Sequence, residues 1–171
     1  MNSLPERMMR AATLDSRLYE QVEADPSTMK EAGLIVVIAS VAAGIGSIHQ
    51  AGLPGIILGT VTALVGWFIW AYLTMIIGTK LLPTPDTEAD YGQLLRTIGY
   101  SSSPGVIRVL GIIPGLGPVM AFLGSIWMLV AMVVAVRQAL DYTSTLRAVA
   151  VCIIGWIIQA IVFWIFFSLF T

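Results

Sequence analysis

A polar stretch lies between long apolar segments of the chain, at Thr97–Gly111, and reads "TIGYSSSPGVIRVLG". Residues of these types could do two kinds of chemistry. Hydroxyl and guanidinium groups can bind an anion, and serine hydroxyls can also donate to the backbone carbonyls that a proline leaves unpaired in a membrane helix. The candidate element, whether it serves a ligand or packing, consists of Gly99, Tyr100, Ser101, Ser102, Ser103, Pro104 and Arg108.

Other candidates for catalysis or metal binding are weaker. His49 is the single histidine, and no second His or Cys nearby completes a metal site. Cys152 lies in an apolar run, where a thiol is inert. Asp86, Glu88 and Asp90 are too few for a calcium loop, so we interpret them as a solvated linker with Asp90 capping the next helix. We therefore expect no enzymatic activity, no cofactor and no metal.

The composition indicates an integral membrane protein. Hydrophobic residues make up 57% of the 171 residues and charged residues only 11%, whereas soluble domains average about 25% charged residues. Such a chain cannot cover a water-facing surface. The net charge of −1 provides no basic patch for nucleic acid, so the lipid bilayer is the expected surroundings.

Apolar segments predict an all-α protein with membrane helices at about 32–51, 53–79, 118–137 and 147–170. Residues 1–31 form a predicted cytoplasmic amphipathic arm, which either lies on the bilayer or packs on the protein's own loops. Small residues are expected to let these helices approach closely, and the helix-packing candidates are Gly55, Gly59, Gly111 and Gly115.

The basic residues decide whether residues 94–113 also cross the membrane. Apart from Arg108, every Lys and Arg falls in the arm, in the region 80–96 or in the connector 137–147. These three regions share one side only if 94–113 is a span, so the positive-inside rule predicts five spans with the N-terminus inside and the C-terminus outside. Pro104 costs a helix about 3 kcal/mol. We therefore expect a proline-broken third span held within the protein, with Arg108 either reaching outward or facing the bundle.

Three segments resemble the Yip1-domain family, in its prokaryotic branch. "DYGQLLRTIGYSSSP" (90–104) carries the Gly-Tyr followed by proline typical of the family's third span. "WMLVAMVVAVRQALDYTSTLRAVAV" (127–151) is similar to the fourth and fifth spans of prokaryotic members, and "LYEQVEADP" (18–26) to the segment before the first. The resemblance implies a five-helix membrane bundle. Eukaryotic relatives act in vesicle trafficking and bind Rab-type GTPases, but the short arm and the missing Asp-Leu-Tyr-Gly-Pro signature argue against Rab binding here.

With no catalytic constellation, the expected function is that of an assembly or interaction module, an accessory subunit bound to other integral membrane proteins or to itself. One alternative is a small channel or transporter built on the broken third span. Another is a trafficking or lipid-organisation factor, as the resemblance to eukaryotic relatives implies. The expected location is a prokaryotic cell (inner) membrane.

The predicted topology can be tested with reporter fusions. A periplasmic reporter such as alkaline phosphatase, joined after Thr171, is expected to be active, because an odd number of spans places that end outside. The same reporter joined after Thr143, in the basic connector, serves as the control and should be inactive. An inactive reporter at Thr171 would contradict five spans.

Overall fold

The computed structural model describes residues 3–85 and 87–170, with the side chains of the last helix described up to 161 and at 164 and 168. Asp86 and Thr171, which entered the expectations above, lie outside the described residues. The described chain contains no strand. Its seven α-helices are α1 (Leu4–Ala12), α2 (Ser16–Ala24), α3 (Met29–Gly46), α4 (Ile48–Ile76), α5 (Tyr91–Tyr100), α6 (Gly117–Ala139) and α7 (Thr145–Phe170).

Three of these elements are long and apolar enough to cross a membrane: Pro26–Gly46, Ile48–Leu81 and Gly117–Ala139. The first includes a short 3₁₀ turn, Pro26–Thr28, and the second ends in one π-helical turn, Ile77–Leu81. Helix α4 is interrupted near its start by Gly52, which has a φ of 63°. Glycine adopts this positive φ at little energetic cost because it has no Cβ. Its straight part therefore begins at Leu53–Pro54, as the apolar pattern predicts.

The segment 94–113 is not one helix. It consists of the end of α5 and a 3₁₀ segment, Ser103–Ile112, joined at Ser101–Ser102. The glycines of this segment show its direction relative to α3. Gly99 lies against Ala32, Gly105 against Ala39, and Gly111 against the carbonyl of Gly46. Residue numbers increase in the same direction in the segment and in α3, so the segment runs parallel to α3, from the first apolar turn of α3 to its last residue.

Helix α5 occupies the centre of one end of the bundle, and all its residues from Leu94 to Tyr100 are buried. A capping box fixes its start. The Asp90 carboxylate accepts from the main-chain N–H of Gln93, and the side-chain oxygen of Gln93 accepts from the main-chain N–H of Asp90. The expected cap at Asp90 is thus confirmed. Trp67 of α4 donates its indole N–H to the Leu95 carbonyl at 2.9 Å, which ties α5 to α4.

The N-terminal arm folds back onto the bundle. Ala11, Leu18, Tyr19 and Val22 are fully buried, which accounts for the apolar stripe along α1 and α2. Arg96 of α5 donates to the main-chain carbonyls of Val22 and Glu23. Of the two expectations for this arm, the structure agrees with packing on the protein itself, but the contacts are with helices, mainly α5 and α6, and not with loops.

Glu23 ends up half-buried between this arm and the connector after α6. Burial raises the pKa of its carboxyl from the usual 4.5 to about 7, and the negative charge of Asp141 adds to the rise, while Arg96 opposes it. Between these two values the folded protein binds more protons than the unfolded chain. Folding stability therefore falls as pH rises from about 4.5 to 7.

Replacing Glu23 by Gln is expected to remove this pH-dependent loss of folding stability. In detergent, Glu23→Gln should melt at the same temperature as the wild type near pH 5 and at a higher temperature at pH 8. The free energy of unfolding at pH 8 should exceed that of the wild type by about 1–2 kcal/mol, once the screening of a half-exposed group is allowed for. Glu6→Gln, at an exposed position on α1, is the matched control and should show no such divergence. A Glu23→Gln curve parallel to that of the wild type would refute the burial account.

Candidate functional site

The hydrogen bonds at the Pro104 break follow from the missing proline N–H. In a continuous α-helix residue 104 would donate to the carbonyl of Tyr100, but proline has no N–H to donate. The Ser103 hydroxyl donates to that carbonyl instead, at 2.7 Å. The Ser101 hydroxyl donates in the same way to Ile98, also at 2.7 Å. The expectation that serines satisfy the carbonyl freed by Pro104 is confirmed for Ser103.

Gly99 and Tyr100 attach this break to the start of α3 and to the arm. A Cβ on Gly99 would lie 2.8 Å from the Cβ of Ala32, so only glycine permits this approach. The Tyr100 hydroxyl donates to Glu31 at 2.5 Å. Arg7 of α1 pairs with the same carboxylate at 2.7 Å and reaches the Tyr100 oxygen at 3.3 Å.

We call Arg7, Glu31 and Tyr100 the arm cluster. Sequence reasoning placed Tyr100 in a possible transport site and did not connect it with Arg7 or Glu31. The available signal was a carboxylate at the very start of an apolar run, which needs a partner because an unpaired charge there is costly. The pairing across 93 residues of sequence depends on how the arm folds, and local patterns do not encode that.

Arg108 faces the interior of the bundle. The main-chain carbonyl of Arg108 lies so close to Gly46 that a Cβ on residue 46 would collide with this carbonyl. The side chain crosses Gly124 of α6, and its terminal Nη2 donates to the Ser125 hydroxyl at 3.0 Å. Of the two expectations for Arg108, reaching outward or facing the bundle, the structure shows the second.

A cavity of about 480 Å³, which we call the central cleft, lies between α3, α4, α6, α7 and the third segment. Along α3 it extends from Val36 to Ser47, about 16 Å at 1.5 Å per residue. Of the candidate residues in the polar stretch, Ser102 and Arg108 line it, and Tyr100, Ser101 and Ser103 do not. The stretch thus divides into residues that hold the break and residues that face the cleft.

Two N–H donors in this cleft lack a partner in the described part of the chain. They are the indole Nε1–H of Trp70 and the Nε–H of Arg108, and both atoms are buried. Ser40, Ser47 and Gln159 add further polar groups to the lining, and no lining residue is acidic. Trp70 and Gln159 were not predicted as site residues, because only the packing of α7 against α4 brings them to the same wall as Arg108.

The predicted packing glycines have different roles in the structure. Gly111 fits the prediction, since its Cβ would lie 2.9 Å from the Gly46 carbonyl. Gly55 and Gly59 line the cleft instead, and a Cβ on Gly59 would meet nothing within 4 Å, so within this chain it packs against no helix. Gly115 is a turn residue, with a φ of 86° that favours glycine. The packing interpretation of these three is corrected.

The remaining candidates stay apart from the cleft. Among the described residues, no group of three His, Cys, Asp or Glu side chains is placed to hold a metal ion. Cys152 is buried in α7, and His49 lies near the start of α4 beside an outer cavity. The predictions of no cofactor and no catalysis remain predictions.

Comparison with known proteins gives one match. The family model described as the Yip1 domain matches residues 14–167. No curated protein and no solved structure matches the chain. The match covers α2 to α7 and includes the polar stretch and nearly all of the cleft-lining helices.

Close contact between α3 and the third segment predicts a strong effect of Gly46→Ala. The added methyl group would meet the main chain of Arg108, which cannot move aside as a side chain can. We expect a loss of about 2–3 kcal/mol, measured as a lower melting temperature in detergent. Gly66→Ala, whose methyl group would meet nothing within 4 Å, is the control and should be neutral or slightly stabilising. Equal melting temperatures for the two variants would contradict this packing.

Proposed function

Because the chain belongs to the Yip1 family, we propose that it is a non-enzymatic, multi-pass membrane protein that assembles with other integral membrane proteins. We place it in the membrane with five crossings, its N-terminus inside and its C-terminus outside. The parallel course of the third segment and α3 supports this topology, as does the positive-inside distribution of Lys and Arg. A prokaryotic cell membrane remains the proposed location.

The observation that carries the assembly role is the sparse packing of α7. Among the described side chains of α7, the buried residues form one narrow stripe in the first half of the helix: Ala148, Val151, Cys152 and Gly155. Beyond them, Trp156 is 52% exposed and Trp164 is 71% exposed. Tryptophan is the residue type most enriched at the energetic centres of protein interfaces.

An apolar groove beside this helix supports the same role. It lies between α6 and α7, has a volume of about 430 Å³, and its lining includes Val130, Val133, Val149 and Trp156. We propose that a membrane helix of a partner protein occupies it, with a second copy of this chain as the alternative partner. Without a hydrophobic driving force inside the bilayer, such contacts depend on close packing, which a groove provides.

The arm is not proposed as a docking site for a GTPase. Its apolar stripe is buried against α5 and α6, and Trp127 of α6 donates to the Ala12 carbonyl at 2.7 Å. A partner that bound this stripe would first have to detach the arm. This agrees with the missing eukaryotic signature and supports the proposal that neither Rab-type GTPases nor nucleic acids are partners.

A second candidate function is that of a small channel or transporter. The observation that favours it is the central cleft, which brings Ser102 and Arg108 of the broken segment to a cavity within the bundle. Irregular backbone at membrane depth is typical of substrate sites in transporters. The proposed role of a trafficking or lipid-organisation factor rests on the family alone.

Purification from native membranes in mild detergent tests the assembly role. We expect the wild type to elute with a partner in fixed stoichiometry, or as a dimer. Alanine at both Trp156 and Trp164 should weaken that association about tenfold or more, because large aromatic anchors dominate such interfaces. Phe68→Ala, at a 46% exposed position on α4, is the control. A monomeric wild type, or equal association in the double variant, would rule out the proposal.

A further inference from the structure

No carboxylate among the described residues forms a salt bridge with Arg108. Its guanidinium donates to the neutral hydroxyl of Ser125, at 3.0 Å. The ten acidic residues all lie at positions 6–31, 86–90 and 141, and none of the nine that the structure describes lines the central cleft. An arginine within a membrane protein is costly unless it is paired or reaches water. A structural arginine in such a place normally has a carboxylate or several carbonyl partners.

The unpartnered donors of the cleft all require acceptors. The Nε–H of Arg108 and the Nε1–H of Trp70 are buried without a partner among the described residues. A buried donor left unpaired costs free energy. On the Arg108 side chain the unpaired Nε–H adds to a positive charge that no described carboxylate neutralises, and the guanidinium is complementary to a ligand that bears negative charge and acceptor oxygens.

The shape of the cleft adds to this requirement. Its volume of about 480 Å³ is in the range of ligand-binding sites. Hydroxyls of Ser40, Ser47 and Ser102 and the amide of Gln159 are distributed around apolar walls. Ser47 and Arg108 also border a second cavity of about 320 Å³, which includes Gln50 and Ser125. Arg108 can therefore be approached from the cleft and from the outer ends of α3 and α6.

From these observations we propose that the Arg108 end of the central cleft is a binding site for a phosphate group, with the Arg108 guanidinium as its counter-ion. Arginine presents planar N–H donors that match phosphate oxygens in pairs. The phosphate belongs to a phospholipid that enters from the bilayer or to a free phosphate that enters from the outer cavity. The assembly role rests on a different surface, because the groove beside Trp156 shares no lining residue with the cleft.

Two binding measurements distinguish these sources. In the first, the purified protein is extracted from phosphatidylglycerol vesicles and analysed by native mass spectrometry for retained lipid. In the second, delipidated protein is dialysed against radiolabelled inorganic phosphate. Retention of one lipid per chain identifies a headgroup site, and saturable phosphate binding without lipid retention identifies a free-anion site.

Variants connect either result to the cleft. Arg108→Gln keeps hydrogen-bonding capacity but removes the charge, and should weaken binding about tenfold or more. Arg108→Lys keeps the charge but loses the paired planar donors, and should weaken it several-fold. Arg17→Gln removes a charge from an exposed position on α2, and Trp156→Phe alters an indole outside the cleft. Both controls should bind as the wild type does. Melting temperatures verify that each variant is folded.

Two outcomes would overturn the proposal. The first is that folded wild-type protein retains no phospholipid and binds no phosphate. The second is that Arg108→Gln binds either one as tightly as Arg17→Gln does. If Arg108→Gln fails to fold, Arg108→Lys decides alone, and unchanged binding by that variant would overturn the proposed geometry.

Discussion

A backbone carbonyl in an apolar medium must have a donor, and Pro104 takes one away from Tyr100. The hydroxyl of Ser103 replaces the missing N–H, and beyond this point the chain continues as a 3₁₀ segment. A 3₁₀ helix is narrower than an α-helix and rises about 2.0 Å per residue. The segment can therefore lie close to α3 through Gly105 and Gly111. The course of the third segment, and with it the place of Arg108, follows from this break.

Charge is divided unequally between the two ends of this segment. At its start, the arm cluster matches Arg7 with Glu31 and adds a hydroxyl from Tyr100. At its other end, Arg108 has a hydroxyl partner and no carboxylate near it among the cleft residues. In the arm cluster the opposite charges neutralise each other, and their ion pair holds the arm to α3. The arrangement at Arg108 leaves a positive charge and an unpaired donor on a cavity, which is the arrangement expected of a site that receives a ligand.

Much of this fold could be predicted from the sequence because local rules governed it. The apolar lengths predict the long helices, the Asp90–Gln93 pair predicts a helix start, and Pro104 beside serines predicts a satisfied break. The arm cluster and the wall formed by Trp70 and Gln159 could not be predicted, since each depends on contacts between distant segments. The prediction that Gly55 and Gly59 pack against another helix fails for the same reason, since it too depends on contacts between distant segments. Their spacing is typical of helix packing, yet α3 approaches α4 at Gly44, beside Ile56, and leaves these two glycines on the cleft.

The central claim is that the broken segment lies along α3 in parallel, with Gly105 beside Ala39. An ideal Cβ at Gly105 is 3.2 Å from the Cβ of Ala39, near the separation that a disulfide requires. In a Cys152→Ser background, cysteines at 39 and 105 should cross-link within one chain when membranes are oxidised. Cysteines at 34 and 105 should not, because Leu34 is exposed and lies about 140° around α3 from residue 39. Cross-linking of the 39–105 pair alone is the predicted result, and failure of that pair, or equal cross-linking of both, would contradict the account.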